Sequence, residues 1–204
     1  MIKAIAAGAL CALGLVQPAL GAELLAGVYA HDVTYIGKLV GSGAAGREGG
    51  ADIELGLRSD RIAALSLIGR PQAHAFVSIN TDNTSNFVAA GLSWPIALGD
   101  RFYLRPGLGL AYTDGKAGLP PVNAPGLSPV ETQRRLHLYN TRIDFGSKVL
   151  FEPEIGIGAR ITERLSVELS WTHISNGEIF HHGKNQGLDD TGVRLVYSLG
   201  PLGN

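Results

Sequence analysis

Beyond residue 23 the apolar side chains of this chain recur at every second position. Ile53, Leu55 and Leu57 alternate with Asp52, Glu54, Gly56 and Arg58. Phe102, Leu104, Leu108, Leu110 and Tyr112 alternate with Tyr103, Arg105, Gly107, Gly109 and Thr113. Val149, Phe151, Ile155, Ile157 and Ile161 alternate with Glu152, Glu154, Gly156 and Arg160, and Val193, Leu195, Tyr197 and Leu199 with Arg194 and Ser198. Period two is the signature of a strand with one apolar face and one polar or small face, because successive side chains point to opposite sides. Eight strands are predicted near 23–35, 50–59, 71–80, 86–96, 101–113, 148–161, 164–176 and 189–199. The first and third alternate least regularly. Pro106 and Pro153 fall inside two of them, and each removes a ladder donor.

The connections alternate in length. Short turns are expected at Leu98-Gly99-Asp100 and Thr162-Glu163, with a somewhat longer one near 60–70. The other end carries Gly37–Gly49, Asn80–Ser85, a long segment near 114–147, and Gly177–Leu188. Outer-membrane barrels have this asymmetry, and eight strands close around an interior filled by side chains. The predicted fold class is therefore an all-β, eight-stranded antiparallel transmembrane β-barrel. A soluble lipocalin-like barrel with the apolar set inside has the same parity and stays open.

Composition narrows the compartment. The chain opens Met-Ile-Lys, runs apolar from Ala4 to Val16 and reaches Pro18-Ala19-Leu20-Gly21-Ala22. That is the order of a cleavable export signal, with cleavage expected after Gly21 or Ala22. Residues 1–21 are thus expected to be leader and 22–204 one barrel domain. The single cysteine, Cys11, would leave with the leader, and disulfide and thiol chemistry with it. Loss of Lys3 leaves 16 basic against 18 acidic residues, a net charge of −2, which argues against nucleic acid as a partner. No apolar run after the leader is long enough for a membrane helix, so closed strands are the remaining way across a bilayer.

Four patterns compete for chemistry. Gly41-Ser42-Gly43-Ala44-Ala45-Gly46 matches a dinucleotide fingerprint, but no helix follows to hold a pyrophosphate, and a flexible loop is expected. Asp190-Thr191-Gly192 resembles an aspartic-protease half, yet no second copy exists to share a proton, so it is taken as a strand start. His181-His182 lies near other candidate ligands, but the spacing matches no familiar zinc set, and a solvated loop is expected.

The fourth is His173-Ile174-Ser175-Asn176 followed by Asn185-Gln186-Gly187-Leu188-Asp189. His173 and Ser175 continue the odd-numbered run Leu165, Val167, Leu169, Trp171, so a nucleophile and a base share the apolar face at a strand end. Asp189 shares the parity of Val193, Leu195 and Tyr197 on the next strand, whereas Asp190 does not. An antiparallel hairpin would bring Asp189 beside His173, assembling a nucleophile, base and orienting acid on an outward patch. A polar fringe at the barrel rim would leave the same pattern.

At these residues the chain resembles the lipid A 3-O-deacylase (PagL) family of Gram-negative outer membranes. The resemblance implies Ser175 as nucleophile, His173 as general base and Asp189 as third member. It also implies Asn185 as an oxyanion donor, with Asn176 and Gly187 supporting the site. The acid is Asp where the family commonly has Glu, the loop before Asn185 is longer, and the C-terminus lacks the final aromatic usual for outer-membrane barrels. The expected activity is hydrolysis of the acyl ester at position 3 of lipid A, releasing a 3-hydroxy fatty acid, with no metal or cofactor. The expected partners are lipopolysaccharide and outer-membrane lipid, and the oligomeric state is open between monomer and homodimer. Two readings stand beside it: a non-enzymatic scaffold or adhesion barrel working through the 114–147 segment with Arg134 and Arg135, and a phospholipase or general esterase.

Overall fold

The computed structural model describes residues 22–200; the expected leader lies outside them. The strands are β1 (Glu23–Ala30), β2 (Ala51–Arg61), β3 (Gln72–Asn80), β4 (Phe87–Ser93), β5 (Ile96–Leu98), β6 (Phe102–Thr113), β7 (Val149–Arg160), β8 (Leu165–Ile174) and β9 (Leu188–Ser198). All pair antiparallel with their neighbours; β1 pairs with β9, and β4 with β6, which closes the sheet. β5 continues the line of β4 along β6 after an interruption at Trp94-Pro95, so the wall is an eight-stranded barrel.

The orientation of the two faces excludes the lipocalin-like alternative. Leu55, Leu110, Ile157, Leu169 and Leu195 stand exposed on the outside, while Glu54, Arg58, Glu154, Glu168 and Arg194 are fully enclosed. A chain that turns its leucines out and its arginines in is built for hydrocarbon. The lumen is filled in two tiers. Toward the long-loop end, Phe76, Phe87, Ala89, Leu150, Ile174 and Leu188 form an apolar plug with Ile143 and Phe145 from the loops. Below it lies an ionic lattice. Arg194 reaches Glu54 at 3.1 Å, Glu154 at 2.9 Å and Glu168 at 2.5 Å. Glu168 also accepts from Arg58 at 3.0 Å and Arg105 at 3.2 Å. Three arginines thus face four glutamates, the fourth being Glu23, 3.7 Å from Arg58 and 3.6 Å from Arg105. Glycine on the lumen wall makes the room: a Cβ on Gly156 would sit 2.9 Å from the Glu168 carboxyl carbon.

Four expectations need correction. The first strand ends at Ala30, not near residue 35; Asp32 adopts φ 50°, and a short helix α1 (Tyr35–Val40) follows. The expected strand 86–96 is split at Trp94-Pro95. Residues 164–176 do not form one ladder, as β8 stops at Ile174 and Ser175 makes a separate bridge to Phe151. The 114–147 segment contains a helix, α2 (Pro129–Thr141), started by Ser128 capping the Glu131 N–H at 3.2 Å. No residue of α2 is buried. It therefore carries none of the 3.6-residue apolar stripe that betrays a helix in sequence.

The two prolines have different effects. The Pro106 carbonyl accepts from Trp94, and within a strand a residue's nitrogen points to the same side as its oxygen. Its missing N–H therefore falls in the gap between β4 and β5. Pro153 stands opposite His173. The β7–β8 ladder runs to Glu154↔Thr172, skips that pair and the next, Glu152 with Ile174, and resumes at Phe151↔Ser175. The proline thus loosens the wall beside His173.

Arg194→Met should destabilise the barrel by roughly 3–5 kcal/mol, since it leaves buried Glu54 without a cation and removes one partner each from Glu154 and Glu168. Urea unfolding of the protein in lipid vesicles measures this; a loss below about 1 kcal/mol would contradict the lattice as a structural element.

Candidate active site

The site stands at the long-loop end of the β8–β9 hairpin. Register places His173 directly across from Asp189. Their even-numbered neighbours Ile174 and Leu188 enter the apolar plug, so the histidine and the acid emerge on the outer side. His173 Nδ1–H donates to Asp189 Oδ1 at 2.5 Å. This fixes the tautomer and leaves Nε2 as the basic nitrogen. Asp190 points the other way and closes on His31 and Asp52 in the lumen.

Ser175 follows one pleat beyond His173, held by a reciprocal backbone pair with Phe151 at 2.7 and 3.2 Å. Among the described residues no hydrogen bond within 3.5 Å joins its hydroxyl to His173. The serine and the histidine therefore share one face at the strand end with no hydrogen bond between their side chains among the described residues. His173 and Ser175 remain 6% and 8% exposed, while Asp189 is fully sealed. A reactant can touch the first two and not the third.

The seal over Asp189 comes from the glycine-rich segment 37–46, which is packed against the acid and is not a free loop. The hydroxyl of Ser42 donates to Asp189 Oδ2 at 2.9 Å, so both carboxylate oxygens are engaged. Gly37, on α1, lies so close that a Cβ there would come 2.9 Å from Asp189 Oδ2. The segment is pinned on both sides. The Gly187 N–H donates to Gly43, and the Ala45 N–H donates to Gly187, at 3.0 and 2.9 Å. The Asp32 carboxylate accepts from the N–H groups of Gly46, Arg47 and Glu48. Nothing in local sequence marks Ser42 as part of the site, because it lies 147 residues from the acid it binds.

Gly187 is required by contact. A Cβ there would fall 2.3 Å from His173 Cε1, so the imidazole lies flat on bare backbone. The other side of the ring is braced by Trp171, with centroids 6.1 Å apart and planes 24° from parallel. Asn176 is fully buried and ties loops together. Its amide donates to Phe145 O and Lys184 O at 2.5 Å each, and its oxygen accepts from the Glu178 N–H. Asn185 accepts from the Gly177 N–H at 2.9 Å, and this bond turns its carbonyl end inward while its NH2 group makes no protein hydrogen bond among the described residues. Phe151 and Phe180 stack at 5.0 Å on the β7 side of Ser175.

Other candidate chemistry lies apart. His181 and His182 are exposed, and His181 Nδ1–H donates to the His182 carbonyl. Arg134 and Arg135 both bond to Glu131 and hold its carboxyl down at about 2. A cavity of about 270 Å³ lined by Glu23, Arg61, Gln72 and Arg105 opens at the short-turn end of the lumen, opposite the histidine. At the long-loop end of the lumen, burial opposes a charge on His31, but hydrogen bonds to Asp52 and Glu48 outweigh it and raise His31 to about 10.

Two substitutions probe this geometry. Gly187→Ala should lower the hydrolytic rate by roughly 100-fold or more through displacement of the imidazole, with the circular dichroism of the barrel unchanged. Ser42→Ala should cost roughly tenfold, since it leaves one buried carboxylate oxygen without its donor. Steady-state kinetics on the refolded variants measure both, and wild-type rates would remove Gly187 and Ser42 from the site.

No curated protein matches the chain by sequence. Among solved structures, the outer-membrane enzyme PagL is similar with a TM-score of 0.53 at 18% identity, covering 86% of this chain and 98% of that one. Neisserial surface protein A gives a TM-score of 0.48 at 9% identity over 88% of this chain and 97% of that one. The Yersinia pestis outer membrane protein Ail gives 0.43 at 11% identity over 88% and 99%. The first likeness gives the fold, an outer-membrane β-barrel. The sequence profile described as lipid A 3-O-deacylase (PagL) matches residues 66–198, which span β3 to β9 and carry His173, Ser175 and Asp189. With that match over well more than half its length, the chain belongs to the lipid A 3-O-deacylase (PagL) family of outer-membrane enzymes.

Proposed function

We propose that this lipid A deacylase removes the acyl chain esterified at position 3 of lipid A, with Ser175 as nucleophile, His173 as general base and Asp189 as the orienting acid. The observation that carries the reading is the 2.5 Å His173–Asp189 bond on the outer side of the wall. With Nδ1 engaged by Asp189, Nε2 is the nitrogen that can serve as base. Lipid A lies in the outer leaflet, so its esters reach this patch sideways without entering the lumen.

His173 Nε2 takes the Ser175 proton as Oγ attacks the ester carbonyl. The negative charge that develops on the carbonyl oxygen is met by the Asn185 NH2 group, and Asn176 keeps the loop carrying Asn185 in place. Collapse breaks the bond to the sugar oxygen, which receives the proton from the imidazolium. Water then attacks the acyl-enzyme with His173 again as base, and the 3-hydroxy fatty acid leaves. Asp189, held by Ser42, orients the imidazole and steadies the imidazolium as it forms. Trp171 below His173 and the Phe151–Phe180 pair beside Ser175 offer apolar walls to the acyl chain.

Mass spectrometry of lipid A from cells expressing the protein tests the reading. Wild type should remove one 3-hydroxyacyl group from position 3. Ser175→Ala should abolish the loss while the barrel still folds. Asp189→Asn should lower the rate on the order of 10⁴-fold, because the tautomer is then wrong. Acyl release by Ser175→Ala would refute the nucleophile, and cleavage of phospholipid alone would refute the substrate.

A further inference from the structure

We propose that His31, Asp52 and Asp190 form a binding site for one zinc-class divalent ion at the long-loop end of the lumen. The three side chains come from the end of β1, from β2 and from β9, and all three are buried. Each offers one ligand atom, and these atoms lie within 4.8 Å of one another. His31 Nδ1 is 2.9 Å from Asp52 Oδ2 and 3.4 Å from Asp190 Oδ1. A tetrahedral ion bound at zinc–ligand lengths sets its ligands about 3.3 Å apart, and the two distances from His31 Nδ1, 2.9 and 3.4 Å, lie on either side of that value.

Three further features point to a ligand and not merely to an acidic cluster. The first is Asp190 Oδ2. Its side chain is 97% buried, since only 3% is exposed, and among the described residues no N–H or hydroxyl group donates to this oxygen. A buried carboxylate oxygen left without a donor is costly, and a cation satisfies it. The second is the surrounding support. Glu48 Oε2 lies 3.3 Å from His31 Nε2, the carboxylate–histidine arrangement that orients a metal-bound imidazole through its far nitrogen. Asn80 donates to Asp52 Oδ1 at 2.8 Å, which leaves Oδ2 toward the centre. The third is charge. Asp32, Glu48, Asp52 and Asp190 crowd one imidazole, and among the described residues no lysine or arginine lies within 4.0 Å of these carboxylates.

One nitrogen with carboxylate oxygens suits zinc better than calcium or magnesium, which prefer all-oxygen shells. Zinc would take the place of the Nδ1 proton between the same two carboxylates, releasing that proton on binding. Such an ion would tie β9 to β1 and β2 one residue from Asp189. It would also anchor the 31–48 segment that carries Ser42, since Asp32 holds that segment through three N–H groups.

The test uses the full barrel, refolded without an affinity tag and stripped with chelator, in a His181→Ala/His182→Ala background that removes the exposed histidine pair. Elemental analysis after zinc loading and desalting should give one zinc per chain, and zinc should raise the melting temperature where magnesium does not. Cobalt substitution should give the intense visible bands of a tetrahedral site. Asp190→Asn, nearly isosteric, should weaken zinc binding roughly 100-fold and remove the zinc-dependent rise in melting temperature. Should that variant fail to fold, zinc stoichiometry and cobalt spectra of the parent decide alone. Absence of bound zinc in the parent, as a cluster stabilised by a proton alone would give, or undiminished binding by folded Asp190→Asn, as zinc held elsewhere would give, would overturn the site.

Discussion

Strand parity decides on which side of the wall every side chain lies, and the terminal hairpin depends on it entirely. In β8 and β9 the odd positions face out and the even positions face in. His173 and Asp189 are therefore neighbours outside, while Ile174 and Leu188, one residue away on each strand, pack in the plug. A slip of one residue in either strand would turn its whole face over. Such a slip would put Leu169 or Val193 into the ionic lattice, or Glu168 or Arg194 into lipid, where a charge at mid-depth costs roughly 2–4 kcal/mol. The interior charges thus hold the register that makes the outer pair meet, although none of them touches it.

The lattice below the plug also explains how so polar an interior is tolerated. Arg194 bonds three glutamates, and Glu168 in turn receives three arginines. Each charge is matched, and wall glycines admit the long side chains. A buried ion pair contributes little to net stability by itself, but a broken one is expensive. The lattice therefore acts chiefly against wrong pairings of the strands, which is the specificity the active hairpin needs.

How much could be read from the sequence follows from these same forces. Strands β2, β6, β7 and β9 announce themselves because lipid on one side and charge on the other enforce strict alternation. The parity argument separated Asp189 from Asp190, and the structure turns them to opposite sides. What alternation does not encode stayed hidden. Helix α2 has no buried face, so it leaves no apolar period. The 31–50 segment has the composition of a strand end and a loop, yet its glycines permit close packing of α1 and Ser42 on Asp189. That packing is a long-range contact between residues of no local signature. His31 was likewise invisible, because its partners arrive from β2 and β9.

The short acid of this chain finds its explanation in that contact. Residues directly opposite in an antiparallel pair hold their Cβ atoms about 4.5–5.5 Å apart. An aspartate in that position reaches the imidazole without a further methylene, as the 2.5 Å bond shows. A longer glutamate would have to fold back within the same span, or move its backbone away. The space a longer side chain would need is instead filled by Gly37 and Ser42, whose hydroxyl engages the second oxygen. Asp189 is therefore clamped from the strand side and the loop side at once. The identity of the acid and the presence of the glycine-rich segment then form one structural choice: a carboxylate held close to the wall, with a serine closing over it.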